Sequence, residues 1–136
     1  MKVGEIMTLG AASVTADTSL WRALRILAEH RISALPVVEE DDRLVGIVTE
    51  ADLFGMGPPG PAVLLATPPE TRQRLLEAMT VRAVMTPNPI SIGADASLEE
   101  AVALMEGHCL KRLPVVGGGK VVGLLSRADV LGALTE

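Results

Sequence analysis

The chain has 136 residues, 49 % of them hydrophobic, and its 12 basic and 17 acidic side chains leave a formal net charge of -5. That balance excludes broad electrostatic binding to DNA or RNA, and with Trp21 and Phe54 as the only aromatic residues there is no stacking platform for single-stranded bases. A lone cysteine, Cys109, excludes an internal disulfide framework; no apolar run reaches membrane-span length and Met1–Glu5 precedes no signal-peptide core, so a soluble, cytoplasmic protein without membrane contact is expected.

Shifted by 78 positions, the sequence overlays itself. In the leading segments Val3 meets Val81 and Met7-Thr8 meets Met85-Thr86; further on, Ala16-Asp17 meets Ala94-Asp95 and Ser19-Leu20 meets Ser97-Leu98. His30 then meets His108, and Leu35-Pro36-Val37-Val38 meets Leu113-Pro114-Val115-Val116. Past Asp41-Asp42 the offset becomes 77, a one-residue difference in a turn, and Val45-Gly46 and Ala51-Asp52 meet Val122-Gly123 and Ala128-Asp129. The repeat divides the chain into residues 1–54, a linker at 55–80 and residues 81–136.

Each repeat has one plan. A leading segment (Val3–Thr8, Val81–Thr86) runs to a short strand at Ser13–Thr15 or Ile90–Ile92. A helix follows, capped by Ser19 or Ser97, the latter forming a capping box with Glu100. Leu20, Ala23, Leu24 and Leu27 give the first of these helices its apolar stripe, and Leu98, Ala101, Val102 and Met105 the second. Each stops near a histidine, His30 or His108, where the helix dipole favours a cation. Strands are expected at Ala34–Val38 and Leu44–Val48, and at Arg112–Val116 and Val121–Leu125. Hairpin turns at Glu39–Arg43 and Gly117–Lys120 join them, the glycines of the second supplying positive φ.

In the linker, Gly55-Met56-Gly57-Pro58-Pro59-Gly60-Pro61 excludes regular structure, and Ala62–Ala66 is apolar without a clear assignment. Thr67-Pro68-Pro69-Glu70 reads as a helix start, and Leu75, Leu76 and Met79 give that helix a face to bury. The segment is either a cover on the core or a lid or partner-binding helix.

The chemistry concentrates in Gly46-Ile47-Val48-Thr49-Glu50-Ala51-Asp52 and its copy Gly123-Leu124-Leu125-Ser126-Arg127-Ala128-Asp129. The aliphatic pair reads as a strand end, the hydroxyl residue as an N-cap and the aspartate as the third residue of the helix. Hydroxyl, carboxylate and the free N–H groups of a first turn then stand together, a set that attracts phosphate and accepts from ribose hydroxyls. The same pattern is also a capping box that needs no ligand.

Four marks recur in order in both repeats: Val-x-x-(Ile/Val)-Met-Thr, Asp-x-Ser-Leu, Leu-Pro-Val-Val and Gly-x-x-(Thr/Ser)-x-x-Asp. On these marks, over about residues 3–54 and 81–134, the chain resembles a tandem pair of cystathionine-beta-synthase (CBS) domains, a Bateman module. The resemblance implies an α/β (α+β) fold of two beta-alpha-beta-beta-alpha repeats, packed through their sheets with pseudo-two-fold symmetry. It also implies a non-catalytic regulatory module that senses an adenosine nucleotide (AMP, ADP, ATP or S-adenosylmethionine) in a cleft between the repeats and acts on a partner protein, commonly as a homodimer. No cofactor is required. The alternative is a ligand-free dimerising scaffold.

Carried onto this chain, the resemblance gives Asp52 and Asp129 the ribose hydroxyls, and Thr49 and Ser126 the phosphate or ribose. Ser13, Val14, Ser91 and Ile92 would contact adenine, and the segments leading into Leu35-Pro36 and Leu113-Pro114 would line the site. The repeats differ there: Lys111-Arg112 in the second stands where the first has Ser33-Ala34. A phosphate-bearing ligand is expected to lean on Lys111, Arg112 and Arg127, the alternative being a solvated loop pair. The two histidines lack the clustered thiols or carboxylates of a metal site. Cys109 reads as packing or as a redox-sensitive thiol, and Met7, Met79, Met85 and Met105 as core or interface filling. No nucleophile–base pair and no Walker loop is present, so no enzyme is expected.

Overall fold

A computed structural model describes residues 1–9, 12–57 and 60–136. In chain order the elements are α1 (Val3–Ile6), β1 (Thr8–Leu9), α2 (Leu20–His30), β2 (Ala34–Val38), β3 (Leu44–Thr49), α3 (Glu50–Phe54), α4 (Pro61–Ala66) and α5 (Pro69–Ala78). A 3-10 turn at Val81–Ala83 follows, then β4 (Thr86–Pro87), β5 (Ile92–Gly93), α6 (Leu98–Gly107), β6 (Arg112–Gly117), β7 (Lys120–Ser126) and α7 (Arg127–Leu134). The molecule is a mixed α+β fold of two repeats. β2 and the starts of α2, α3, α6 and α7 fall where the sequence puts them, whereas α4 begins at Pro61, within a stretch expected to be irregular. Around Ser13–Thr15 only a single parallel bridge forms, Val14 to Val37. Pro58-Pro59 lies outside the described residues.

The compact units do not follow the repeat boundaries. One comprises Met1–Ala11, Asp41–Leu44 and Pro89–Glu136; the other comprises Ala12–Glu40 and Val45–Asn88. Each leading segment packs on the opposite repeat. In the first unit Val3 N–H donates to Ala96 O (2.9 Å), Gly4 N–H to Ala94 O (2.9 Å) and Leu98 N–H to Met1 O (2.9 Å). In the second, Val81 N–H donates to Thr18 O (2.9 Å), Arg82 N–H to Ala16 O (2.9 Å) and Leu20 N–H to Met79 O (2.8 Å). Every bond of one set maps onto the other at an offset of 78. Val3 and Val81 are both fully buried in the cores they join, each worth about 1.5–3 kcal/mol in burial.

The first unit holds a four-stranded sheet in the order β1-β7-β6-β5, with β5 parallel to β6 and the other pairs antiparallel. Its core contains Val3, Ile92, Ala101, Met105, Leu113, Val115 and Leu125. Val121 N–H donates to Asp42 O (3.0 Å), which draws the tip of the first hairpin into this unit. Gly118 and Gly119 take the positive φ the turn demands (59° and 81°). The second unit holds the sheet β2-β3-β4 and a core around Leu20, Leu35, Val37, Val48 and Val81.

The linker forms two helices on the second unit, and Leu64 and Leu76 are buried in its core. Two expectations are corrected here. Thr67 does not cap α5; its hydroxyl donates back to Val63 O (2.7 Å) at the end of α4, and Pro68 occupies the N-cap. Leu75 is 41 % exposed, because only one side of α5 meets α2.

Candidate functional site

The site residues are gathered by sheet connectivity. In the first unit β6 and β7 pair with Arg112 opposite Ser126, so the start of β6 lies beside the end of β7 and the start of α7. Arg127 N–H donates to Lys111 O (3.1 Å) and ties the segment before β6 to the first turn of α7. β5 runs parallel to β6 with Ile92 opposite Val115, which brings Ser91 to the same end of the sheet. Ser91, Lys111, Arg112, Ser126 and Asp129 therefore share one sheet edge. The second unit repeats the pattern: Glu50 N–H donates to Ser33 O (3.0 Å), and Val14 N–H donates to Pro36 O (3.1 Å). Ser13, Ser33, Thr49 and Asp52 collect there.

Both helix starts are full capping boxes. Ser126 N–H donates to Asp129 Oδ2 (2.8 Å) and Asp129 N–H to Ser126 Oγ (3.2 Å). Thr49 donates to Asp52 Oδ2 through its N–H (2.9 Å) and its hydroxyl (3.1 Å), and Asp52 N–H donates to Thr49 Oγ1 (3.3 Å). The carboxylates then diverge. Asp52 Oδ1 accepts from the Thr86 hydroxyl (3.2 Å), whereas Asp129 Oδ1 accepts from no residue among those described. Thr86 arrives on the leading segment of the other repeat, a neighbour that local spacing in the sequence does not reveal. Its repeat counterpart Thr8 makes no such bond to Asp129.

The other predicted residues separate into three groups. Leu35, Pro36, Leu113 and Pro114 are fully buried core side chains, so these positions offer only backbone to a ligand. The reason is that each sits inside a strand covered by its own unit's apolar residues. Val14 and Ile92 keep only 5 % and 7 % exposure, enough for an edge contact at most. Lys111 is exposed and Arg112 half-buried, and neither has an ion-pair partner among the described residues. Arg127, with Glu106, lines an apolar groove between α6 and α7. No group of three or more His, Cys, Asp or Glu among the described residues could hold a metal ion. No helix among them is long and apolar enough to cross a membrane.

A shared sheet edge, a capping box and a swapped leading segment thus occur twice, and comparison with known families accounts for the duplication. The CBS domain family matches residues 3–56 and 81–136. The chain belongs to the CBS domain family. Hypoxic response protein 1 of Mycobacterium tuberculosis is 30 % identical over 132 residues, covering 97 % of this chain and 84 % of the relative. Among solved structures, CBSX2 in complex with AMP is similar at a TM-score of 0.79 and 30 % identity, over 98 % of this chain and 96 % of that one. The CBS domain pair of protein MJ0100, in complex with 5'-methylthioadenosine and S-adenosyl-L-methionine, is similar at a TM-score of 0.77 and 26 % identity, over 99 % and 96 %. The tandem CBS resemblance read from the four sequence marks is thereby upheld, as is the mixed α+β fold of two CBS repeats.

Proposed function

We propose that this chain is a non-catalytic regulatory module that senses an adenosine nucleotide at the sheet edges of its CBS repeats, self-associates, and modulates a partner protein in the cytoplasm. The observation that carries the reading is the second-repeat edge. Asp129 has a carboxylate oxygen that accepts from no described residue, beside a hydroxyl cap and the first-turn N–H groups, with Lys111 and Arg112 alongside lacking ion-pair partners among the described residues. A carboxylate for ribose hydroxyls and cations for phosphate form a set complementary to a nucleoside phosphate. The AMP complex of a relative that is similar over nearly the whole chain supports the ligand class. The first-repeat edge is the poorer site, because Thr86 already occupies Asp52 Oδ1 and Ser33-Ala34 brings no cation. A ligand regulates only through its differential affinity for two states, so the partner must read a nucleotide-dependent difference.

Calorimetric titration with AMP, ADP, ATP and S-adenosylmethionine tests this. AMP is expected to bind, and Asp129→Ala to weaken it on the order of 10- to 100-fold, the cost of a hydrogen bond to a charged group. Asp52→Ala should weaken it less. Arg112→Ala should weaken AMP and leave adenosine nearly unchanged. Absence of heat with every compound, on folded protein, would leave the alternative, a ligand-free scaffold. That second reading has its own support: both capping boxes are complete without a ligand.

A further inference from the structure

Between β5 and the side of α6 that faces it runs a groove of about 580 Å³, a size typical of binding sites. Gly93, Ala96, Ala103 and Gly107 hold it open, and a Cβ added at Gly93 or Gly107 would meet nothing within 4 Å. The first repeat fills the matching place. At the offset of 78 the four positions are Thr15, Thr18, Arg25 and Glu29. There the two threonine hydroxyls bond each other (3.1 Å) and Arg25 pairs with Glu29 (2.9 Å). Long side chains that satisfy one another in one repeat are thus replaced by glycine and alanine in the other.

Two polar groups of the groove lack partners among the described residues. β5 is the edge of its sheet. Gly93 lies opposite Val116 of β6, and Ala94 N–H donates to Val116 O (3.0 Å). The alternation of a parallel ladder then turns the Gly93 N–H to the free side, where an edge strand offers its backbone to another chain. A glycine in a strand also marks a place where a second backbone can approach closely. The other group is the Glu100 carboxylate. The capping box expected at Ser97 is only half made: Glu100 N–H donates to Ser97 Oγ (3.1 Å), but the carboxylate does not return to the cap as those of Asp52 and Asp129 do. Glu100 instead lines the groove, exposed and without an ion-pair partner among the described residues. His108 lines the opposite end, eight residues along α6 and so about 12 Å away. An extended chain covers that length in about four residues.

We propose that the β5–α6 groove takes an extended segment of a partner protein, added as a strand to the free edge of β5 with a basic side chain of the segment on Glu100. Main-chain bonds to the edge give such a contact its affinity, and the groove beside it gives specificity. Glu100 is the one acid of the groove, so a lysine or arginine is the complementary charge. Ser91 lines the groove and also stands at the second-repeat sheet edge, which places the partner next to the nucleotide. The inference rests on the partner-modulating part of the proposed function and gives that partner a docking place.

The test is selection of a displayed library of random heptapeptides on the whole chain, followed by anisotropy titration of the enriched peptides. Two variants serve as controls, with circular dichroism to verify that each is folded. Ala103→Arg with Gly107→Glu installs the ion pair of the first repeat and closes the groove; Glu100→Lys reverses its charge at an exposed position. Enriched peptides are expected to carry a basic residue among alternating apolar ones. Glu100→Lys should weaken them on the order of 10- to 100-fold, the loss of a charge-assisted bond, and the closed variant at least as much. No enrichment on folded wild-type protein, or peptides that bind both variants as well as wild type, would overturn the proposal. Self-association lost in the closed variant, with no peptide enriched, would give the groove to a second copy and overturn it too. AMP titration of the same proteins keeps the readings apart: AMP binding without peptide binding overturns the groove alone, and peptide binding without AMP binding overturns the nucleotide reading alone.

Discussion

Gly46 and Gly123 stand at equivalent repeat positions and meet equivalent neighbours. A Cβ on Gly46 would lie 2.8 Å from Met85 Sδ and 3.1 Å from Thr86 O; on Gly123 it would lie 2.7 Å from Met7 Sδ and 2.8 Å from Thr8 O. The glycine of each motif is therefore required by the swapped leading segment that pairs against it. The thioether can move, but the Thr8 carbonyl belongs to a strand and cannot yield cheaply. Gly123→Ala should destabilise the protein by about 1–3 kcal/mol, the usual cost of overpacking, with Gly46→Ala milder; urea unfolding of both variants measures the difference. A motif read as ligand chemistry is at this residue a packing constraint. Asp52 and Asp129 teach a related lesson: their spacing predicts identical roles, and a threonine from a distant segment makes them different.

At the scale of the element, the helix starts were legible because capping is local. Ser19, Thr49, Ser97 and Ser126 each accept the N–H three residues on, as the hydroxyl-x-x spacing requires. Ser97→Ala should cost about 0.5–2 kcal/mol by denaturant unfolding. The linker shows where local reading fails. Thr67-Pro68-Pro69-Glu70 contains a good cap sequence, yet the Thr67 hydroxyl is claimed by the Val63 carbonyl, because the preceding helix ends there. Arg72 Nη1 donates to Leu64 O (3.4 Å) at the same helix end. Leu75 and Leu76 read alike in the sequence but not in the fold. Leu76→Ala should cost about 2–5 kcal/mol as a buried truncation, while Leu75→Ala should stay within about 0.5 kcal/mol. Equal losses in thermal or denaturant unfolding would contradict the placement of α5.

At the scale of the whole molecule, the repeat is the unit of sequence but not the unit of packing. Residues 1–54 contain one full repeat yet lack Val81, Leu64 and Leu76, three side chains of the core they would need. A fragment spanning 12–88 includes all three. That fragment should show more helix by circular dichroism and a more cooperative melt than 1–54; the reverse result would contradict the exchange of leading segments. Amino-acid order alone determined the duplication, the paired strands β2, β3, β6 and β7, the capped helices α2, α3, α6 and α7, and through four repeated marks the family, because periodicity, capping and turn chemistry act over a few residues. Only tertiary structure decided which repeat receives each leading segment, why the motif glycines are crowded by it, and which aspartate keeps an oxygen without a partner among the described residues. It also placed Arg127 at the lining of the α6–α7 groove. These are contacts between segments far apart in the sequence or between neighbouring helices, and they depend on how apolar faces find cover, which no local spacing encodes.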